Sequence, residues 1–369
     1  MIWILIIIAV PLSLWATARF YLRGEDLSRY DGPCDPVQVE RSTASTEHGA
    51  IVQMFEQYRA TQTNPPNMWS EAGRQAIRLG MEEIPAALDL GVGNREVDVL
   101  GIPAEWVLAP GADPNRRLLY LHGGAFTTGS AKSHRVFTAT LSKRADAAVL
   151  AIDYRLMPEN KRMDGVRDCQ TAYRWIIDNG PDGPAPAETL FVAGDSAGGN
   201  LTLMIAAWAR DHGLRQADAA VALSPGTDST AQSPSWAANV ETDQMLGPMF
   251  GFIAKLPQTV TLWWQFISNR VRPCNPVISP IHGDLSGLPP TLVHASEAEM
   301  LLDDARRYVN KAQAAGSPVT LQTWPHVMHV WHGLVLTVPE AQEAFDRIIE
   351  FLDACAPRTA GQTESGSSI

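Results

Sequence analysis

Cysteine is scarce in this sequence of 369 residues. The four cysteines are Cys34, Cys169, Cys274 and Cys355. So few cysteines exclude a disulfide-rich scaffold, and the absence of any CxxC pair argues against a zinc ribbon or finger. We expect free thiols, with a bridge between two of them as the open alternative.

Basic charge is scarce as well. Lysine and arginine number 29 against 40 aspartates and glutamates, which gives a formal net charge of −11. No run of five or more like charges occurs. Because a nucleic-acid-binding surface needs clustered lysine and arginine, a nucleic-acid partner is excluded. Hydrophobic residues make up 45% of the chain, which is enough for a sizeable core in one large domain or two modest ones.

The segment at 2–18 is apolar and carries no charge. Its 17 residues are at the lower limit for a membrane-spanning helix, and the basic stretch that opens a signal peptide is missing. We therefore predict an uncleaved anchor and a membrane-associated protein, with the side of the membrane left open. The triplet Ala16-Thr17-Ala18 resembles a cleavage site, which keeps a cleaved signal as the alternative.

Short apolar runs alternate with longer segments through the rest of the chain. They lie at 118–121, 148–152, 190–193, 219–223, 291–295 and 319–324. Uninterrupted runs of this length, separated by segments long enough for helices, indicate a parallel sheet covered on both faces and an α/β fold. Residues 96–99 and 104–109 flank a Gly-Ile-Pro turn and predict a hairpin at a sheet edge.

The first chemical motif is Gly194-Asp195-Ser196-Ala197-Gly198, a GxSxG between the run at 190–193 and a helix-like segment at 200–209. In this context the serine sits on a strained turn between strand and helix, and small flanking residues let the turn close. The start of the helix directs backbone N–H groups at a developing negative charge. We predict that Ser196 is a nucleophile.

The second motif, His122-Gly123-Gly124-Ala125-Phe126, follows the run at 118–121. Glycines at the end of a strand allow the backbone to approach a ligand closely. An oxyanion hole needs two or more N–H donors about 3 Å from the developing charge. We predict the N–H groups of Gly123, Gly124 and Ala197 as these donors, with a structural role for His122.

With these two motifs in place, the sequence resembles the hormone-sensitive lipase family of α/β hydrolases, the bacterial family IV esterases. The resemblance continues through DYRLMPE at 153–159, NPVISP at 275–280 and LPPT at 288–291, and it spans about residues 95–350. It implies a mostly parallel eight-stranded sheet with helices on both faces and a helical cap. It also implies a Ser–acid–His triad and neither a metal nor an organic cofactor.

The resemblance places the triad acid after a strand, within EAEMLLDD at 297–304. When Asp303 and Asp304 are aligned with the acidic pair that ends the family's motif, the acid is Glu299, where the family more often has aspartate. A glutamate can orient an imidazole equally well. Glu297 and Asp303 are the alternatives.

Three histidines, His326, His329 and His332, lie where the base is expected, after the acid in sequence. In the family the base precedes a small or β-branched residue and an aromatic one, and His329-Val330-Trp331 has that pattern. A metal site made of the three is disfavoured, because their spacing does not hold the side chains on one face of a strand. We predict His329 as the base and no metal.

These predictions divide the chain into an N-terminal anchor or signal (1–24), N-terminal cap helices (25–92), the first part of the catalytic core (93–228), a cap insertion (229–272), the second part of the core (273–356) and a disordered tail (357–369). An aromatic-rich insertion favours a lid over an apolar pocket. The expected function is a serine carboxylesterase that cleaves short- to medium-chain acyl or aromatic esters through an acyl-enzyme.

Two other functions stay open at this point. The membrane-anchored arylacetamide deacetylases resemble this layout, so an amidase is one alternative. A non-catalytic small-molecule receptor on the same fold is the other, although the related plant gibberellin receptors lack the base histidine that this sequence has. The predicted partner is a small-molecule ester. The oligomeric state is left open, with a homodimer as one option.

Overall fold

A nine-stranded, mostly parallel sheet forms the centre of the protein in this computed structural model, which describes residues 2–32, 37–39, 43–61 and 66–358. In chain order the strands are β1 (Val37–Gln38), β2 (Gly93–Val99), β3 (Ile102–Leu108), β4 (Asp113–Leu121), β5 (Ala147–Ile152), β6 (Asn179–Gly180), β7 (Gly183–Pro184), β8 (Thr189–Asp195), β9 (Ala219–Leu223), β10 (Thr291–Ser296) and β11 (Val319–Trp324). Across the sheet the order is β1-β11-β10-β9-β8-β4-β5-β3-β2, and β6 pairs with β7 apart from it.

The predicted fold class is confirmed by this sheet. Eight of its strands form the expected α/β-hydrolase sheet, and β1 adds a two-residue strand at one edge. Only β3 runs antiparallel to its neighbours, β2 and β5, and the β2–β3 pair is the hairpin that the sequence predicts. All six residues of β5 are buried, because helices cover both faces of the sheet.

The helices of the described residues are α1 (Ile2–Thr17), α2 (Thr46–Thr61), α3 (Glu71–Ala86), α4 (Arg135–Ala145), α5 (Arg162–Asp178), α6 (Ala197–Asp211), α7 (Ser235–Ala238), α8 (Leu246–Phe250), α9 (Gln258–Asn269), α10 (Leu302–Ala314) and α11 (Pro339–Cys355). Alternate strand residues bury against opposite layers of helices. Leu118 belongs to the apolar cluster of Phe137 and Phe345, from α4 and α11. Its neighbour Leu119 belongs to the cluster of Tyr173, from α5, on the other face.

Helices from two distant parts of the chain meet outside the sheet. The helices α2 and α3 come from the segment predicted as N-terminal cap, and α7, α8 and α9 come from the predicted cap insertion. Arg59 on α2 donates a hydrogen bond of 2.9 Å to the carbonyl oxygen of Gln244. The Trp69 ring, just before α3, lies 5.7 Å from the Trp264 ring of α9, between centroids. We refer to the described residues of these two segments, 25–92 and 229–272, together as the cap.

The membrane prediction for residues 2–18 is contradicted by the structure. Among the described residues, no helix combines the length and the apolarity that a membrane span requires. The apolar helix α1 has 16 residues, so it is about 24 Å long, whereas the hydrocarbon core of a bilayer is about 30 Å thick. Just past its end, Leu22 is buried in an apolar cluster with Leu262 of α9.

Two further predictions fall partly on residues that the structure does not describe. Cys169, Cys274 and Cys355 are free thiols, whereas Cys34 lies outside the described residues. The predicted disordered tail at 357–369 also lies outside them, apart from its first two residues.

Candidate active site

Ser196 lies on the sharp turn between β8 and α6. Its backbone has φ 51° and ψ −113°, a conformation that costs a non-glycine residue on the order of 1–3 kcal/mol. Gly194 and Gly198, on either side of Ser196, are glycines for a steric reason. A Cβ atom at Gly194 or at Gly198 would collide with the carbonyl oxygen of Leu121, at the end of β4. The turn therefore closes against the neighbouring strand only with glycine at both positions.

The structure brings His329 to this serine. Its Nε2 atom lies 2.9 Å from Ser196 Oγ, and the imidazole is buried. His329 lies in the loop after β11, at the same edge of the sheet as the carboxyl end of β8. The parallel order of the strands therefore brings the base and the nucleophile to one edge.

Glu299 completes the line of hydrogen bonds. Its Oε2 atom lies 2.6 Å from His329 Nδ1, and its Oε1 atom accepts a 3.0 Å hydrogen bond from the Ser296 N–H group. The two alternative acids bind elsewhere. Glu297 accepts from Thr323 Oγ1 at 3.1 Å, and Asp303 accepts from the Ser235 N–H group at 2.9 Å.

Burial and charge act in opposite directions on the His329–Glu299 pair. Burial by itself would lower the pKa of His329, but the hydrogen bond that it donates to Glu299 and the charge of that carboxylate outweigh burial, so the pKa of His329 lies above its ordinary value. Burial raises the pKa of Glu299, and its hydrogen bond with His329 works against that rise. The imidazolium form of His329 is therefore stabilised where a proton would arrive from the serine.

The other two histidines of this loop have different surroundings. His326 is exposed. His332 is buried, and its Nε2 atom lies 3.1 Å from Nδ1 of His294 on β10. Burial lowers the pKa of His294 to about 3, and burial together with repulsion from His294 lowers the pKa of His332. The pair of His294 and His332 therefore stays neutral. Of the three histidines of the loop, His329 is the one that contacts Ser196.

The N–H groups predicted for the oxyanion hole differ in their partners. Gly123 N–H donates a 3.1 Å hydrogen bond to Asp195 Oδ1, so this donor is already in use. The N–H groups of Gly124, Ala125 and Ala197 have no protein acceptor within the part of the chain that the structure describes. Ala125, the residue that the sequence prediction missed, follows the two glycines directly and has a φ of 51°.

Asp195, next to Ser196 in sequence, binds the backbone of the HGGAF motif at 122–126. Besides Gly123, its Oδ1 atom accepts a 2.7 Å hydrogen bond from the Tyr120 hydroxyl. Burial would raise the pKa of Asp195, but the attraction of His134 and the hydrogen bonds from His134 and Tyr120 outweigh burial, so its pKa is lowered. An ionised Asp195 thus fixes the backbone of the HGGAF motif against β8.

Residues at and just before the start of α2 contact the loop of His329 and helix α11. Nε2 of His48 on α2 accepts a 3.0 Å hydrogen bond from the N–H group of Met328, the residue before His329. Nearby, Ser45 Oγ donates a 2.7 Å hydrogen bond to Glu340 on α11. These contacts join residues 280 and 295 positions apart in sequence, so no local motif predicts them.

Comparisons with known proteins give the family of this chain. A family model described as the α/β-hydrolase fold matches residues 118–333. An acetyl-hydrolase of Streptomyces hygroscopicus is 37% identical over 265 residues, which is 72% of this chain and 84% of the relative. The esterase LipU of Mycobacterium tuberculosis is 35% identical over 243 residues, 65% of this chain and 79% of the relative. A crystal structure of an esterase from the bacterial hormone-sensitive lipase family superposes with a TM-score of 0.71 at 32% identity, covering 84% of this chain and 98% of that one.

Proposed function

The chain belongs to the hormone-sensitive lipase family of α/β hydrolases, and from this membership we propose that it is a serine carboxylesterase acting through Ser196, His329 and Glu299. Relatives named as esterases, matched over most of their length, make it a carboxylic ester hydrolase. The observation that carries the proposed triad is the continuous line from Ser196 Oγ to His329 at 2.9 Å and on to Glu299 at 2.6 Å.

The first half of the reaction forms an acyl-enzyme. Ser196 Oγ attacks the ester carbonyl carbon while His329 Nε2 takes the serine proton. Glu299 stays ionised, holds Nδ1–H in the correct tautomer and stabilises the imidazolium. The C–O bond to the alcohol then breaks, and the alcohol leaves with the proton that His329 returns.

The negative charge of the tetrahedral intermediate is bound by backbone N–H groups. We assign this role to Gly124, Ala125 and Ala197, because the Gly123 N–H group is held by Asp195. Removal of a single such donor typically costs about 3–4 kcal/mol of transition-state stabilisation. In the second half of the reaction, water attacks the acyl carbonyl carbon while His329 takes its proton. The bond to Ser196 Oγ then breaks, His329 returns the proton to Oγ, and the carboxylic acid leaves.

The substrates we propose are esters of short- to medium-chain or aromatic acids. Aromatic rings from both segments of the cap support an apolar pocket, since Trp69 meets Phe250 and Phe252 at centroid distances of 6.3 and 5.9 Å. The name acetyl-hydrolase of one relative is consistent with a short acyl group. Among the residues that the structure describes, no contact in the site favours the amidase or the receptor alternative.

Hydrolysis of p-nitrophenyl butyrate by the full chain tests the proposed nucleophile. We expect Ser196→Ala to lower kcat by at least about a thousandfold, because nucleophile and base act as a unit. Ser28→Ala, at an exposed serine, is the matched control and should leave the rate unchanged. A Ser196→Ala protein that folds and keeps more than a tenth of the activity contradicts the proposal.

A further inference from the structure

One segment of the cap lies directly on the loop that carries Glu299. The segment runs from 239 to 243, and the acid loop runs from 297 to 300, between β10 and α10. Asn239 Nδ2 donates hydrogen bonds to the carbonyl oxygens of Glu297 and Glu299, at 3.0 and 2.9 Å. The amide of one cap residue thus holds two peptide groups of the acid loop.

Two more contacts continue this pattern along the loop. Thr242 Oγ1 donates a 2.9 Å hydrogen bond to the carbonyl oxygen of Ala298. Asp243 Oδ2 accepts a 2.8 Å hydrogen bond from the Met300 N–H group. Consequently, all three carbonyl groups from 297 to 299 and the following N–H group are bound by side chains of the cap.

Asp243 is bound on its other side by the cap itself. Its Oδ1 atom accepts hydrogen bonds from the N–H groups of Met245 and Leu246, at 3.0 and 2.8 Å, at the start of α8. The residue is 2% exposed. Because both carboxylate oxygens are held and water is excluded, the position of α8 determines the position of Met300 and hence of Glu299 beside it.

We propose that Asn239 and Asp243 are positioning residues for the triad acid, so that the cap insertion sets the geometry of Glu299 against His329. This inference rests on the proposed role of Glu299 in the triad. The side chains act on the backbone of the acid loop and touch no reacting atom. The cap insertion is therefore part of the scaffold that holds the triad acid.

Asp243 adds a second, electrostatic effect. The ionisable groups that face His329 are Glu299, Asp243, Asp195 and His332. Glu299 contributes most to the raised pKa of His329, and the charges of Asp243 and Asp195 add to it. Loss of the Asp243 charge should therefore lower the pKa of His329 and extend activity to lower pH, since the base must be neutral to accept the serine proton.

The test compares four variants of the full chain in steady-state hydrolysis of p-nitrophenyl butyrate. Asn239→Ala removes two bonds to the acid loop, Thr242→Val removes one, and Asp243→Asn removes the charge. Glu241→Gln is the matched control, because Glu241 lies in the same segment and is exposed. We expect Asn239→Ala and Asp243→Asn to lower kcat about tenfold or more with KM within about twofold, as for a misplaced catalytic group.

The pH profile separates positioning from a loss of folded protein. In Asp243→Asn the acid limb of kcat/KM should move to lower pH, while Glu241→Gln should leave it in place. If Asn239→Ala does not fold, Thr242→Val takes its place in the test, and we expect it to lower kcat by a smaller factor. Folded variants that keep wild-type kcat, or an acid limb that stays in place in Asp243→Asn, overturn the inference.

Failure of this inference is distinct from failure of the proposed function. Activity that disappears in Ser196→Ala but is unchanged in Asn239→Ala and Asp243→Asn rejects the positioning role alone. Activity that survives Ser196→Ala rejects the triad, and with it the positioning role of the cap segment.

Discussion

Glu299 reaches His329 with one more methylene group than an aspartate has, and the structure accommodates that length. The carboxylate is fully buried and divides its oxygen atoms between the imidazole and the Ser296 N–H group. An unpaired charge would be costly at this depth. Both oxygen atoms of the carboxylate are therefore held, and in the proposed mechanism this orientation fixes the His329 ring for proton transfer from Ser196.

The raised pKa of His329 gives a prediction for the pH dependence of the reaction. His329 must be neutral in the free enzyme, so kcat/KM should fall as the pH drops through its pKa. Because Glu299 outweighs burial, we expect the inflection of this acid limb above the ordinary value of 6.5. A profile of kcat/KM between about pH 5 and 9 measures it.

An inflection below 6.5 would contradict this assignment, because it would mean that burial dominates at His329. Glu299→Gln is the informative variant. It removes the charge that raises the pKa but keeps a polar group of the same size, so its acid limb should move to lower pH than that of the wild type.

At the scale of elements, helix α2 supports the loop of the base. We expect His48→Ala to leave the buried Met328 N–H group without its acceptor, which costs about 1–3 kcal/mol of unfolding free energy. It should also lower kcat, since the loop that carries His329 loses a support. His48→Gln offers an amide oxygen in place of Nε2 and should restore part of both losses.

Urea unfolding and steady-state kinetics on the same two variants check this prediction. Equal losses in His48→Ala and His48→Gln would show that packing of the ring matters and the hydrogen bond does not. Burial lowers the pKa of His48, so the neutral, accepting form persists as the pH falls somewhat below 6.5. Because the unfolded chain takes up this proton at the ordinary pKa of 6.5 and the folded protein only at a lower pH, stability falls as the pH drops from 6.5 to the lowered pKa.

The parallel strands inside the sheet were predictable from the sequence because each contains a short apolar run. The bounds of β9 and β11 agree with the runs at 219–223 and 319–324, since both strands lie inside the sheet and are largely buried. The edge strand β1 has two residues and too little sequence for any pattern. The bounds of α7 and α8 could not be predicted either, because helices of four and five residues are too short to show a periodic pattern of apolar residues.

The nucleophile had the strongest local signal in the site. Steric contact requires glycine at Gly194 and Gly198, so the turn leaves a motif in the sequence. In contrast, the contacts of Asn239 with the acid loop join residues about 60 apart through a single amide side chain. Such polar contacts between loops leave no spacing to recognise, and the same is true of the hydrogen bond that engages Gly123 with Asp195.

At the scale of the whole molecule, we expect the cap and the sheet together to set the range of substrates. The cap draws its aromatic side chains from segments about 200 residues apart, with Trp69 from one and Trp264 from the other. We expect the rate on p-nitrophenyl esters of increasing acyl length to peak at short or medium chains, because an apolar pocket of limited volume penalises added methylenes once it is full.

A series of esters from acetate to palmitate measures this range, with Ser196→Ala giving the background hydrolysis for each ester. A maximum beyond about twelve carbons would contradict the proposed substrate class.

The hydrogen bonds between Ser45 and Glu340 and between Met328 and His48 also bear on how the protein is synthesised. The segment that supports the base leaves the ribosome about 280 residues before its partners do. Domains generally fold during synthesis from the N-terminal end, at about 5–20 residues per second, so this segment spends many seconds without the groups it binds. A nascent chain interrupted before residue 329 therefore lacks the proposed base, and we expect no hydrolysis until His329 and its supports have been synthesised.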